Sequence, residues 1–260
     1  MTSPDTANGH GDHGICVRAP NWVGDVVMAT PAFRCLRRGF PDARILLVVG
    51  GSAPDVLKGA PWFDRIITYR RRRRGPGAMR EFLRCAGAVR KERCDTGVIM
   101  PNSFSSALMM RMAGVRRRVG YVRDLRSLLL SHPVPRPCRE DGTFRPTYMG
   151  DYYLGLCETL GLTPQSRRTE LPWAEQDMAA ATGLLRAAGL EPEGRFFLIH
   201  PGAGFGPSKL WPEERFAALA GMLAGEFDAQ IACIGVADAS EMAARINDAS
   251  DAPVVDLTDC

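Results

Sequence analysis

Residues 15–50 read ICVRAPNWVGDVVMATPAFRCLRRGFPDARILLVVG. Two short apolar runs, 15–17 and 45–49, flank a segment in which residues 29–38 place apolar side chains at helical spacing. Strand, helix and strand in that order form a crossover unit, which lays the two strands parallel. Working outward, the alternation continues with strands expected at 66–69 and 97–100 and helices at 53–59, 78–93 and 102–113. The fold class predicted is α/β: a parallel sheet with helices on both faces. The proline-rich stretch 133–137 breaks the pattern, and 148–160 reads as a helix with an aromatic face.

One carboxylate interrupts the first unit. Asp25 lies between Gly24 and Val26, just past the first strand, among apolar or small neighbours. Two roles suit it. It caps the free N–H groups of the following helix, which the residues by themselves favour, or it faces a crevice as a proton acceptor. The start of that helix stays open, because Thr30-Pro31 is itself a good N-cap and N1 pair. Residues 25–29 then form either loop or a first turn kinked by Pro31.

The formal net charge of +4 conceals an asymmetry: residues 1–165 hold 26 Lys+Arg against 14 Asp+Glu, and residues 166–260 hold 7 against 15. The sign changes within the polar stretch 163–172, taken as the domain boundary. This gives a tail at 1–13, a first domain at 14–165 and a second at 166–260. The second repeats the alternation, with helices at 175–188, 212–227 and 239–247 and strands at 196–199, 230–234 and 254–257. Three strands make half of a doubly wound domain.

The basic half, with an arginine run at 70–74 and Arg116, Arg117 and Arg118, predicts an anionic partner: phosphorylated lipid, nucleic acid or acidic sugar. The arginines lack the interleaved aromatic residues that single-strand binders use, which argues against nucleic acid. No apolar run approaches the ~18 residues of a membrane span. The first fourteen residues, MTSPDTANGHGDHG, lack the apolar core of a signal peptide and read as a disordered tail. His10 and His13 fit that solvated tail better than a metal site, and Asp and His are nowhere clustered at ligand spacing. The eight cysteines form no CxxC pair, and several sit in apolar runs. That is the usage of reduced, core-filling thiols in a cytoplasmic protein.

A second informative stretch, HPGAGFGPSKLWPEE at 200–214, follows an expected strand and enters a helix. Backbone N–H groups in such a loop, with a helix N-terminus behind, form an anion site, to which Lys209 adds a full charge. A Walker A loop requires Ser or Thr directly after the lysine, and Leu210 stands there. A GxGxxG fingerprint fits Gly202 and Gly204 but meets Pro207 at its third glycine, with no acid at the end of the next strand. A glycine-rich turn with a surface lysine remains the plain alternative.

Three stretches in order, NWVGDVVMATPAFRCLRRGFPDARI at 21–45, VIMPNSFSSALMMRMAGVRRRVGY at 98–121 and HPGAGFGPSKLWPEERFAALA at 200–220, resemble the bacterial ADP-heptose:lipopolysaccharide heptosyltransferases of glycosyltransferase family 9. The likeness is greatest to the second enzymes of that pathway and runs from about residue 15 to the end. It implies a GT-B fold: two Rossmann-like, doubly wound domains across a cleft, acceptor on the first and sugar nucleotide on the second, the second incomplete here. It implies an inverting transfer of heptose from ADP-heptose to the lipopolysaccharide inner core, without metal or further cofactor. Asp25 becomes the base, and Lys209 sits on the leaving diphosphate with backbone donors from Gly202, Ala203 and Gly204. Ser208 adds a hydroxyl or only a surface group, and Trp211 packs its helix rather than stacking on adenine. Asn21, Trp22, Gly24, Asn102 and Ser103 fall on the acceptor side, with a helix cap as the other role for Asn102 and Ser103.

The partner implied is an acidic, phosphorylated Kdo–lipid A core, met by a monomeric cytoplasmic enzyme in peripheral contact with the inner membrane. Each arginine near that surface adds about 1 kcal/mol of attraction. Family members continue to an Asp-Ser-Gly-x-x-His type loop over the diphosphate, and this sequence ends before one, so weak or absent transfer is expected of these residues alone. Two other readings stand beside it. One is a GT-B transferase for a different nucleotide sugar. The other is a non-catalytic module for anionic glycolipid, in which Asp25 is only a cap.

Overall fold

The computed structural model describes residues 14–51, 53–70, 75–202 and 207–260, apart from the side chains of Pro207 and Asp238. It contains the crossover unit. Strand β1 (Ile15–Arg18) leads through α1 (Val23–Gly39) to β2 (Ile45–Gly50), and the strands pair in parallel with Ile15 opposite Ile45. Helix α1 starts earlier than expected. Trp22 is its N-cap, so Asp25 lies inside the first turn rather than capping it, and Pro31 sits within the helix. Proline has no N–H to offer the carbonyl four residues back. Here that carbonyl belongs to Val27, and Thr30 Oγ1 donates to it at 2.8 Å. Thr30 thus fills the gap Pro31 leaves, and the helix runs on.

The first sheet continues through α2 (Ala53–Val56), β3 (Arg65–Tyr69), α3 (Pro76–Lys91), β4 (Thr96–Ile99), α4 (Phe104–Met112), β5 (Arg117–Tyr121), a 3₁₀ turn (Asp124–Leu129), β6 (His132–Val134) and α5 (Met149–Thr159). All its strands pair in parallel, in the order β3-β2-β1-β4-β5-β6. Side chains along β1 alternate between two cores. Ile15 and Val17 join the cluster of α1 and α5, and Cys16 joins that of α3 and α4. The sheet is therefore covered on both faces. Burying each large aliphatic side chain contributes about 1.5–3 kcal/mol. The strand order reverses between β1 and β4, and in such sheets the crevice past the strand ends at that point is where ligands bind.

Strands β5 and β6 were not anticipated. β5 runs through the arginine cluster, with Val119, Gly120 and Tyr121 buried behind it. Pro133 is accommodated because β6 is an edge strand, where a missing ladder N–H costs little.

The chain divides between Trp173 and Ala174. Residues 166–173, assigned above to the second domain, are tied to the first. Arg34 bonds the Glu170 carboxylate at 2.5 Å, Glu170 N–H donates to Thr30 Oγ1 at 3.0 Å, and Arg167 pairs with Asp151 at 2.7 Å. The charge reversal in the sequence precedes the structural boundary. The second unit holds α6 (Glu175–Ala187), β7 (Phe196–Ile199), α7 (Glu213–Phe227), β8 (Gln230–Gly235), α8 (Ser240–Ala249) and β9 (Val254–Thr258), with a parallel sheet β7-β8-β9. Ile199, Ile231 and Ile246 lie in a cluster with Ala217 and Ala220 of α7, while Ala232 and Leu257 join Leu190 in another. All eight cysteines are free thiols, and six are buried. The tail 1–13 with its two histidines, and the arginines at 71–74, lie outside the described residues.

Candidate functional site

Two loops meet the crevice of the first unit, one after β1 and one after β4. Each is held by a buried arginine. Arg18, the last residue of β1, is 2% exposed. Its Nη1 donates to the carbonyls of Ala19 and Val48 at 2.7 and 3.2 Å, and its Nη2 to Asn21 Oδ1 at 2.7 Å. The guanidinium lies 5.4 Å from the centre of the Tyr69 ring. Arg126, in the 3₁₀ turn, is 1% exposed and holds the other loop, with Nη1 donating to Pro101 O at 2.5 Å and Asn102 Oδ1 at 3.3 Å. Its guanidinium fits because residue 120 is glycine. A Cβ there would lie 2.7 Å from Arg126 Nη2 and 3.1 Å from Ile99 O.

Among the described residues neither arginine has a carboxylate partner. Arg18 Nε and Arg126 Nε and Nη2 are buried without an acceptor. Burial lowers the Arg18 pKa, and pushes that of Arg126 down to about 10 with the help of nearby Arg123. Asn102 Nδ2 donates to Tyr152 Oη at 2.9 Å, and Tyr121 Oη donates to Tyr152 O at 2.8 Å across rings stacked 4.0 Å apart. Arg18, Asn21, Asn102 and Ser103 line a cavity of about 450 Å³ with Tyr69, Phe104 and Arg123. Uncompensated positive charge beside a polar cavity favours an anionic ligand.

Asp25 stands in the first turn of α1, half-buried. Among the described residues it has no hydrogen-bond or ion-pair partner, and burial raises its pKa. Its charge in turn raises that of Tyr153, which burial has already pushed up. A carboxylate in this state is a stronger base than an exposed one and sits where the helix N-terminus tolerates negative charge. The loop leading to it is open: a Cβ added at Gly24 would meet nothing within 4 Å, and Trp22 is 56% exposed. Ser103 is the N-cap of α4, its Oγ accepting from Ser106 N–H at 3.3 Å, whereas Asn102 caps nothing and bridges Arg126 to Tyr152. The cap expected for one or other of the pair belongs to Ser103.

In the second unit, β7 leads into the loop that carries Gly202, Ser208 and Lys209. Ala203 and Gly204 lie outside the described residues. Ser208 and Lys209 are exposed in a 3₁₀ turn (Pro207–Lys209), four residues before α7 begins at Glu213. Trp211 packs edge-on to Phe216 of α7, ring centres 4.9 Å apart, so it serves its own helix. Arg18, Arg126 and the Tyr152 link are not among the site residues that the sequence motifs mark. A signal was present: Arg18 continues an apolar strand without a break, where a charge needs a reason.

A family model described as glycosyltransferase family 9 (heptosyltransferase) matches residues 82–258. Lipopolysaccharide heptosyltransferase 2 of Salmonella typhimurium is 28% identical over 218 residues, which cover 82% of this chain and 60% of that protein. The chain thus spans about 60% of the length of this curated relative. The solved structure of Escherichia coli ADP-heptose lipopolysaccharide heptosyltransferase II is 25% identical, with a TM-score of 0.75 over 94% of this chain and 72% of that one. A family 9 glycosyl transferase from Veillonella parvula, 19% identical, shares the fold with a TM-score of 0.81 over 95% of this chain and 69% of its own.

Proposed function

The chain belongs to glycosyltransferase family 9, and on that premise we propose that it takes part in moving heptose from ADP-heptose to the inner core of lipopolysaccharide. ADP-heptose and lipopolysaccharide are the substrates named for the solved E. coli relative. The observation that carries the reading is Asp25: a half-buried carboxylate in the first turn of α1, the helix that follows the crevice strand β1, without a hydrogen-bond or ion-pair partner among the described residues.

In the proposed step Asp25 takes the proton of an acceptor hydroxyl as its oxygen attacks the anomeric carbon of heptose. The bond from that carbon to the diphosphate breaks on the opposite face, so configuration inverts, and its electron pair leaves with ADP. Lys209, with backbone donors of the loop that includes Gly202, Ala203 and Gly204, counters the charge that develops there. Ser208 adds a hydroxyl. Asn21, Trp22, Gly24, Asn102 and Ser103 contact the acceptor, an acidic Kdo–lipid A core. The uncompensated Arg18 and Arg126 support an acidic acceptor. The protein works as a monomer in the cytoplasm, touching the inner membrane peripherally. Among the described residues no helix is long and apolar enough to cross a membrane.

The test is transfer from ADP-heptose to heptosylated Kdo–lipid A, by the chain alone and by the chain continued with the remaining part of the Salmonella relative. The continued chain is expected to transfer, and Asp25→Asn to remove that transfer. Undiminished transfer by Asp25→Asn would refute the base. An inert continued chain that still binds acceptor would leave a glycolipid-binding module.

A further inference from the structure

The outward face of the 3₁₀ turn Asp124–Leu129 has no role in the chemistry above. Three residues complete each turn of a 3₁₀ helix, so side chains three apart share a face. Arg126 and Leu129 make the inner face, Arg126 fully buried and Leu129 packed on the core of α3 and α4. Leu125 and Leu128 make the outer face. At 72% and 80% they are the two most exposed large apolar side chains among the described residues. Helix α4 packs against this turn and adds Phe104, 51% exposed, and Met112, 43% exposed.

Scattered apolar residues on a surface are ordinary. These stand in a strongly cationic stretch of the chain. Residues 104–129 contain six arginines and a single acid, Asp124. Asp124 pairs with Arg123 at 3.5 Å. Among the described residues Arg118 donates to the carbonyls of Leu129, Val115 and Arg116 and to no carboxylate. Burial and the neighbouring charge of Arg111 lower its pKa. Like charges gathered around a single acid call for anions from outside the chain. Two leucines this exposed enter a fluid interface one by one, without the complementary pocket that a protein partner would have to supply.

We propose that this face docks on an anionic lipid bilayer, with Leu125 and Leu128 in the interface and the exposed Arg111, Arg116 and Arg123 on lipid phosphates. Phe104, Arg123 and Asp124 also line the cavity beside Asn21 and Asn102. Docking therefore holds that cavity near headgroup level, where the sugars of a lipid-borne acceptor stand. In purpose this deepens the reading of a glycolipid acceptor and rests on it. The binding itself needs no sugar transfer.

The test is co-sedimentation of the 260-residue chain with vesicles of phosphatidylethanolamine and phosphatidylglycerol, against vesicles of phosphatidylcholine alone. Binding is expected only to the anionic vesicles and is expected to weaken with salt. The double variant Leu125→Asp, Leu128→Asp should lower partitioning about tenfold or more, and Arg123→Gln or Arg116→Gln about fivefold each. Unchanged thermal unfolding excludes misfolding, and the double alanine variant repeats the measurement with a milder change. Equal binding to both vesicle types, or binding untouched by the leucine variants, overturns the proposal. So does a protein that ignores vesicles but self-associates through the leucines, which assigns the face to a second copy. A parent continued chain that transfers to detergent-dispersed acceptor yet ignores anionic vesicles sinks the docking face alone, whereas vesicle binding without transfer in the continued chain sinks the catalytic reading alone.

Discussion

The loops after β1 and β4 differ in construction from the loop after β7. Each of the first two is pinned from beneath by a buried guanidinium that reaches an asparagine at the cavity, Arg18 to Asn21 and Arg126 to Asn102. The third offers Ser208 and Lys209 on exposed backbone ahead of α7. Burying two arginines without carboxylates is costly, and the cost is met by backbone carbonyls that hold their forks. What that cost secures is position. Geometry in the first unit is set before any ligand arrives, whereas the loop of the second presents Ser208 and Lys209 on its exposed surface. Substitutions in the first unit should therefore couple stability to activity, and those in the exposed loop should separate them.

Asp25 is the exception inside the first unit and gives the largest expected effect. Burial holds its carboxyl above the usual range, with no partner among the described residues to offset it. A raised folded-state pKa means that the folded chain binds the proton more tightly than the unfolded one, so ionisation lowers stability as pH rises through that range. Asp25→Asn removes this cost. The variant is expected to unfold at the same or a higher temperature near neutral pH, while transfer by the continued chain falls on the order of 10²–10⁴-fold. For the parent, transfer should fade on the acid side at a pH above the ordinary aspartate value of about 3.9. A variant that melts well below the parent would make Asp25 structural and erase the exception.

Next in size is Lys209→Ala. The loss of one charge on the leaving group is expected to cost on the order of 10²–10³ in turnover, with thermal unfolding unchanged because the side chain is exposed. Asn102→Ala is its counterpart. It breaks bonds to both Arg126 and Tyr152, and should lower stability by about 1 kcal/mol or more as well as transfer. If Lys209→Ala destabilises the fold as much as Asn102→Ala does, the contrast between the loops fails.

Much of this was legible in the sequence, and the parts that were not have physical reasons. Strands β1, β2 and β4 announce themselves because both sides of each are buried, so their sequences are unbroken apolar runs. β5 hides because Arg117 and Arg118 open it, and Arg118 satisfies itself on local carbonyls that no residue pattern shows. The start of α1 stays open in the sequence because Thr30-Pro31 makes a plausible cap, and only the bond from Thr30 to Val27 O reveals a helix that passes through proline. Asp25, Asn21 and Asn102 were picked out from their motifs. Their supports were not, because an arginine bonded to distant carbonyls leaves no spacing to read.

Two glycines sharpen the comparison at moderate size. Gly120→Ala places a methyl 2.7 Å from Arg126 Nη2 and 3.1 Å from Ile99 O in a filled core. Crowding of this kind costs about 1–3 kcal/mol and should displace the arginine that holds Asn102, so stability and transfer fall together. Gly24→Ala meets open space, so unfolding should be unchanged within error. Any loss of transfer at Gly24 then reports substrate passing over that backbone. Equal melting temperatures for the two variants would show that Arg126 is not confined as the structure places it.

The smallest effect belongs to Ser103, which lies at the cavity and also caps α4. Its Oγ accepts from Ser106 N–H and exchanges a hydrogen bond with Ser106 Oγ at 2.7 Å. Ser103→Ala should cost about 1 kcal/mol of stability as a lost cap. Ser103→Asp separates the two roles, because aspartate caps as well as serine but sets a negative charge beside Arg123 at the cavity wall. If Ser103 only caps, the aspartate variant regains both stability and transfer. If its hydroxyl also meets an acidic acceptor, stability returns while the acceptor KM rises, and the charge that Arg18 and Arg126 leave uncompensated is the reason the acceptor notices.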